Sequence, residues 1–266
     1  MLKRILAAIP ALALLVSVIW LHGYYAKIVV ALVGVLCVHE MMNAATAVSK
    51  PMRVIGYSFA ALLYPAYQFV GGFAGVSALI ITCVMLIFLV LVFSGRDAMD
   101  GIMTLLPMIY PGLFFASLIA LLCTPAEQVS RFLLIIAFGA AVLTDTFAYF
   151  TGLLFGKHKL ASSISPKKTI EGAVGGTVFG TGAVFLAGVL MQSAFGVDIE
   201  PLRYLPLGFA LSVLSQIGDL AASVVKRRFG VKDYGHIMGA HGGAMDRLDS
   251  VLFICPAVYA YYILAA

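Results

Sequence analysis

Aspartates on three separate apolar segments, with lysines and arginines close to them in the sequence, carry most of the chemistry this chain can do. Ser212, Ser215, Asp219, Ser223 and Lys226 recur at intervals of three and four, so a helix places them on one face. Asp145 and Tyr149 stand one turn apart with Thr144 and Thr146 alongside, and Asp246 and Asp249 again share a face. Basic residues crowd two nearby stretches: Lys157, Lys159, Lys167 and Lys168 in 155–171, and Lys226, Arg227, Arg228, Lys232 and Arg247 in 226–247. An aspartate inside an apolar helix is costly and faces a bundle interior, an ion or a partner charge. Carboxylates alone would suit a structural ion pair or the coupling of a proton or cation. Carboxylates beside clustered cations and glycine-rich turns suit phosphate oxygens bridged by Mg2+, which takes one or two carboxylates plus substrate phosphates. Lys and Arg would neutralise the remaining charge, and Gly242–Gly243 would let backbone N–H groups approach an anion.

The elements that must position these residues are membrane helices. The chain has 266 residues, of which 62% are hydrophobic and 11% charged, and several apolar runs approach the ~20 residues that span a bilayer. An all-α polytopic membrane protein is expected, with segments near 5–22, 28–46, 54–70, 74–93, 100–122, 132–154, 172–192, 204–225 and 248–265. His39, Glu40 and Asn43 interrupt the second segment and Pro65 the third, while Pro107 and Pro111 should kink or break the fifth.

Charge orients these nine segments. Fourteen of the seventeen Lys and Arg fall in one set of alternate connections, against Lys27, Arg131 and Arg203 in the other. The positive-inside rule puts the N-terminus in the cytoplasm and the C-terminus outside. The net charge of +5 thus belongs to cytoplasmic loops, and no nucleic-acid partner is needed to explain it. Lys3 and Arg4 before an apolar run resemble the start of a signal peptide, but no clear small-residue cleavage site follows, so a retained first helix is expected. The organisation divides into N-terminal helices over 1–130 and a C-terminal region over 131–266 that carries the loops 155–171 and 226–247.

Several motifs fail on inspection. GLLFGKH (152–158) has one residue too few between its glycines for a phosphate loop, with His158 in place of Ser or Thr. HEMMN (39–43) puts Asn43 where a zinc-protease helix needs its second histidine. Cys37, Cys83, Cys123 and Cys255 show no metal or disulfide spacing and read as free thiols. Gly172, Gly176 and Gly180, four apart, form a small-xxx-small face suited to close helix packing.

SVVKRRFGVKDYGHIMGAHGGAMDRLDS (223–250) closely resembles the signature of the phosphatidate cytidylyltransferases. The matching positions are Ser223, Lys226, Arg227, Lys232, Asp233, Gly235, Gly239, His241, Gly242, Gly243, Asp246, Arg247 and Asp249. SPKKTIEGAVGG (165–176), DTFAYFTG (145–152) and SQIGD (215–219) are also similar to that family, so the resemblance covers the C-terminal half. Met238, Gly239–Ala240 and Ala244 depart from it: the family usually has Leu, Ile or Phe, then Pro–Gly, and a larger aliphatic residue there.

The resemblance implies CTP and phosphatidate as partners in the bilayer of the cell membrane, with the active site facing the cytoplasm. CDP-diacylglycerol and pyrophosphate would be the products, and Mg2+ or a similar divalent ion the cofactor. A homodimer stays open. It implies Asp219 and Asp246 as principal metal ligands, supported by Asp249 and Asp145. Lys167, Lys168, Lys226, Arg227 and Arg247 would hold phosphates, with Ser223, Lys232, Gly242 and Gly243 completing the substrate site. His241 would orient a phosphate or protonate the leaving group, or serve only the loop's structure. Ser165 and Thr169 would donate to phosphate, or cap a helix beginning near Ile170. Two rivals remain: a CTP-dependent lipid kinase, and a transporter that uses its intramembrane aspartates.

Overall fold

The computed structural model describes residues 2–195, 200–237, 239 and 242–265. Within hydrocarbon each segment must satisfy its own backbone N–H and C=O groups, and a helix does so. The apolar runs accordingly form α1 (Leu2–Leu21), α2 (Gly23–Ala45), α3 (Arg53–Phe69) and α4 (Phe73–Ser94). After α5 (Ala98–Pro107) and α6 (Phe114–Leu122) come α7 (Glu127–Phe155), α8 (Ile170–Phe195), α9 (Tyr204–Arg228) and α10 (Met245–Ala265). Pro107 and Pro111 break the fifth expected segment into α5 and α6 around a π-type turn, Met108–Leu113, where Tyr110 leaves helical geometry at φ −127°, ψ 111°. A proline there supplies no N–H and its ring crowds the preceding turn.

Every expected segment is helical, but the count of nine crossings is not reproduced. Among the described residues seven stretches are long and apolar enough to span: α2, α4, Ala98–Leu122, α7, Ile170–Gln192, Pro201–Arg228 and Met245–Leu264. The apolar described part of α1 is Ile9–Leu21. The 17 residues of α3 make about 26 Å of helix, short of a hydrocarbon core of ~30 Å. The molecule is a multi-pass membrane protein by these lengths and compositions.

Two compact units make up the chain, Met1–Thr124 with Lys226–Leu248, and Pro125–Val225 with Asp249–Ala266. The basic segment 226–248 folds with the N-terminal helices. In this first unit α2 buries Ala26, Val30, Gly34, Cys37, Val38, Met41 and Met42. A Cβ on Gly34 would already touch the Phe115 ring at 3.3 Å, so glycine lets α2 and α6 approach. The turn after α2 is tied to the following helices: Asp100 Oδ1 accepts the Lys50 N–H at 2.7 Å, and Thr104 Oγ1 accepts that of Met52 at 2.7 Å.

In the second unit α7 and α8 pack along much of their length. Their connection is a small antiparallel hairpin, β1 (Lys159–Ala161) with β2 (Ser165–Thr169), pairing Lys159 with Thr169 and Ala161 with Ser165. Sequence periodicity is too short there to reveal it. The glycine face packs as expected: a Cβ on Gly172 would lie 2.6 Å from the Ala148 carbonyl oxygen, and one on Gly176 2.8 Å from that of Thr144. The four cysteines are free thiols.

Candidate functional site

In the first unit Lys226, Tyr234 and Gly243 close on Asp246. The helix α9 ends in a Schellman motif, with Gly230 at φ 68°, its N–H on the Arg227 carbonyl, and the Val231 N–H on that of Lys226. This leaves Lys226 in the last turn, where its Nζ lies 2.8 Å from Asp246 Oδ1 and 5.4 Å from the centre of the Tyr234 ring. Asp246 Oδ2 accepts the N–H of Tyr234 at 2.8 Å and that of Gly243 at 3.0 Å. Asp246 sits in the first turn of α10, where a carboxylate also favours the helix dipole. The pair is well shielded, with side-chain exposures of 11% for Lys226 and 2% for Asp246.

The two glycines of the loop do different work. Gly242 adopts φ 79°, a left-handed conformation that glycine accepts freely, and its N–H goes to the Gly239 carbonyl at 3.3 Å. Gly243 leaves space for the carboxylate of Glu40, whose sign in the sequence is only its interruption of the apolar run of α2. A Cβ at 243 would stand 2.5 Å from Glu40 Oε1. The N–H groups of both glycines, read from the sequence as an anion cradle, are therefore donated within the loop itself. Arg227, Lys232 and Arg247 are exposed, Asp233 is half-buried, and the buried Ala244 fits without the larger aliphatic residue of the family pattern. His241, with Met238 and Ala240, lies outside the described residues.

In the second unit the strand alternation of β2 separates two neighbouring lysines. Lys167 is exposed, whereas Lys168 turns inward and its Nζ meets Asp219 Oδ2 at 2.6 Å. Both partners of this pair keep some solvent access, at 25% and 30% exposure. The stripe on α9 faces inward: Ser212 and Ser215 are buried, and Asp219 and Ser223 are half-buried. The Ser212 and Ser215 hydroxyls have no hydrogen-bond partner among the described residues. Asp145 Oδ2 accepts the Ser250 hydroxyl at 3.0 Å, and Asp249 Oδ1 accepts the Ser250 N–H at 2.9 Å.

Thr169 caps α8: its hydroxyl oxygen accepts the Gly172 N–H at 3.1 Å as the helix begins at Ile170, which leaves the hydroxyl hydrogen to donate. Ser165 opens β2, half-buried opposite Ala161. The rejected phosphate-loop stretch is instead organised by Glu171, which accepts the Lys157 N–H at 3.1 Å and contacts His158 Nδ1 at 2.6 Å. The rejected zinc-protease stretch forms a polar chain, His39 to the Tyr57 hydroxyl at 2.9 Å and Asn43 to His39 at 2.8 Å.

A family model described as the cytidylyltransferase family matches residues 2–265, nearly the whole chain. The chain belongs to the cytidylyltransferase family. The match reaches beyond the C-terminal half that carries the resemblance and takes in the helix that holds Glu40. Among curated relatives, a phosphatidate cytidylyltransferase of Staphylococcus haemolyticus is 32% identical over 257 residues, 95% of each chain. That of Staphylococcus aureus is 34% identical over 261 residues, again 95% of each chain. That of Thermotoga maritima is 37% identical over 135 residues, 47% of this chain and 50% of its own.

Within each unit, among the described residues, no three carboxylate, histidine or thiol side chains gather as a metal cluster. The individual donors differ in fit. Asp219 is half-buried and its Oδ2 pairs with Lys168, which leaves its Oδ1 on offer to a hard cation. Asp246 already receives three donors on its two oxygens, and a cation there would have to displace Lys226.

Proposed function

We propose that this member of the cytidylyltransferase family transfers CMP from CTP to phosphatidate, giving CDP-diacylglycerol and pyrophosphate. The observation that carries the reading is the family match over residues 2–265, with relatives of that name aligned over 95% of the chain. A phosphate monoester is largely dianionic near pH 7, with a second pKa of about 6 in the phosphoserine analogue. A phosphatidate oxygen therefore attacks the α-phosphorus of CTP without a strong general base. The new P–O bond forms as the bond from that phosphorus to the bridging oxygen breaks, and pyrophosphate departs with the electron pair.

The task left to the chain is positioning and charge neutralisation. In the first unit, Arg227, Lys232 and Arg247 present exposed cations, and the Lys226–Asp246 pair fixes the loop between them. In the second unit, Lys167 offers a further cation from the hairpin, while Lys168 holds the Asp219 carboxylate. Asp219 is the residue best suited to hold Mg2+, with Asp246 second because it must exchange a lysine for the ion; Asp145 and Asp249 support from their bonds to Ser250. A divalent ion, when bound, would neutralise the triphosphate and stabilise the leaving pyrophosphate. The basic character of the loops supports a cytoplasmic site by the positive-inside rule, where CTP would be supplied and the lipid would arrive within the bilayer.

The test is stoichiometric. Purified protein given CTP and phosphatidate in mixed micelles should release pyrophosphate and CDP-diacylglycerol in equal amounts. Release of soluble CDP without CDP-lipid would instead indicate transfer of the γ-phosphoryl group.

A further inference from the structure

The carboxylate of Glu40 projects from a membrane helix into the segment that carries the family resemblance. Its Oε1 accepts the Ala244 N–H at 3.1 Å and its Oε2 the Met245 N–H at 2.9 Å, joining residues more than two hundred positions apart. Glu40 itself is 4% exposed. With Gly243 donating to Asp246, three successive amides, 243 to 245, each end on a carboxylate. These are N–H groups at the start of α10, which lack partners within the helix and attract anions. Two glycines make room for the same side chain: a Cβ on Gly235 would lie 2.9 Å from Glu40 Cγ, and one on Gly243 2.6 Å from Glu40 Cδ.

We propose that Glu40 is a positioning residue for nucleotidyl transfer: it fills the amide nest at the start of α10, sets the first turn, and so holds Asp246 and Arg247 in their working places. The claim about catalysis rests on the function proposed above. It makes the nest an internal lock, already filled by a carboxylate of the chain and closed to substrate phosphate. Phosphates are then left to the side chains of Lys and Arg, and Gly235 and Gly243 serve to admit Glu40.

The experiment compares Glu40→Gln and Glu40→Ala with the control Thr104→Val, which removes a buried hydrogen bond to Met52 in the same unit. Hydrogen exchange of peptides covering 242–248 is measured in detergent, beside kcat and KM for CTP and for phosphatidate well below each melting midpoint. A glutamine keeps one acceptor oxygen but turns its NH2 toward the second amide, so it preserves shape and loses one bond. Glu40→Gln should exchange at 244–245 at least tenfold faster. Its kcat should fall at least tenfold while KM for phosphatidate stays within about twofold, whereas Thr104→Val lowers the midpoint and keeps kcat. Faster exchange with unchanged kcat, or a kcat loss no larger than that of Thr104→Val, would overturn the proposal. So would unchanged exchange in both Glu40 variants. Lack of CMP transfer by the unaltered protein would overturn the proposed activity alone, because the exchange arm reads the lock without it.

Discussion

Lys226 Nζ and Asp246 Oδ1 meet at 2.8 Å, joining the last turn of α9 to the first turn of α10 behind only 11% and 2% side-chain exposure. Removing one member of so shielded a pair leaves the other charge buried, at a cost of about 3–5 kcal/mol. Asp246 also anchors two backbone amides, so its neutral isostere affects three bonds together.

Asp246→Asn should abolish CTP-dependent lipid product while the protein still inserts and purifies. Lys226→Met should lower the melting midpoint and cut turnover at least a hundredfold. Turnover of the purified variants is the measurement, and near-normal rates in Asp246→Asn would remove this residue from the site.

The hairpin gives a sharper comparison. Lys168 pairs with Asp219 at 2.6 Å, and both are partly exposed, so the pair adds no more than about 1 kcal/mol to stability. Lys168→Met should leave the melting midpoint nearly unchanged yet reduce kcat/KM for CTP at least tenfold. Lys167→Met, on the outward face of β2, should raise KM for CTP with a smaller effect on kcat. Equal effects of the two substitutions in a salt titration would reduce both lysines to general attraction.

Thr169 distinguishes a structural role from a substrate role. Its oxygen caps α8, so Thr169→Ala should lower stability by about 1 kcal/mol, while kcat of the folded protein changes less than twofold. A selective rise in KM for CTP, read in the same assay, would return Thr169 to the phosphate contacts.

Asp219 carries the expectation about the cofactor. Asp219→Asn should shift the Mg2+ concentration needed for half-maximal rate upward at least tenfold, and chelation should stop the unaltered enzyme reversibly. A Mg2+ titration that the substitution leaves in place would assign Asp219 to holding Lys168 alone.

These residues show what sequence could and could not make legible. Helical periodicity and spacing located the stripe through Ser212, Ser215 and Asp219, the proline break at 107–111, and the close packing of Gly172 and Gly176, because each depends on neighbours within a few residues. Hydrophobic patterning located the apolar helices, but it did not weigh the shortness of α3. Glu40 stayed hidden as a mere interruption of an apolar helix. The general rule that an ionisable residue inside a membrane segment marks function would have singled it out, but its partners lie about two hundred positions away and only folding brings them together. Gly242 and Gly243 were legible as special, but spacing cannot tell which acceptor an amide has found, here the Gly239 carbonyl and Asp246.

The most direct measurement uses CTP labelled at the α-phosphorus with the purified protein, phosphatidate and Mg2+, followed by separation of lipid from water-soluble products. Label should move into the lipid fraction as CDP-diacylglycerol, and Asp246→Asn should stop it. Label that stays in soluble CDP while the lipid gains none would contradict CMP transfer.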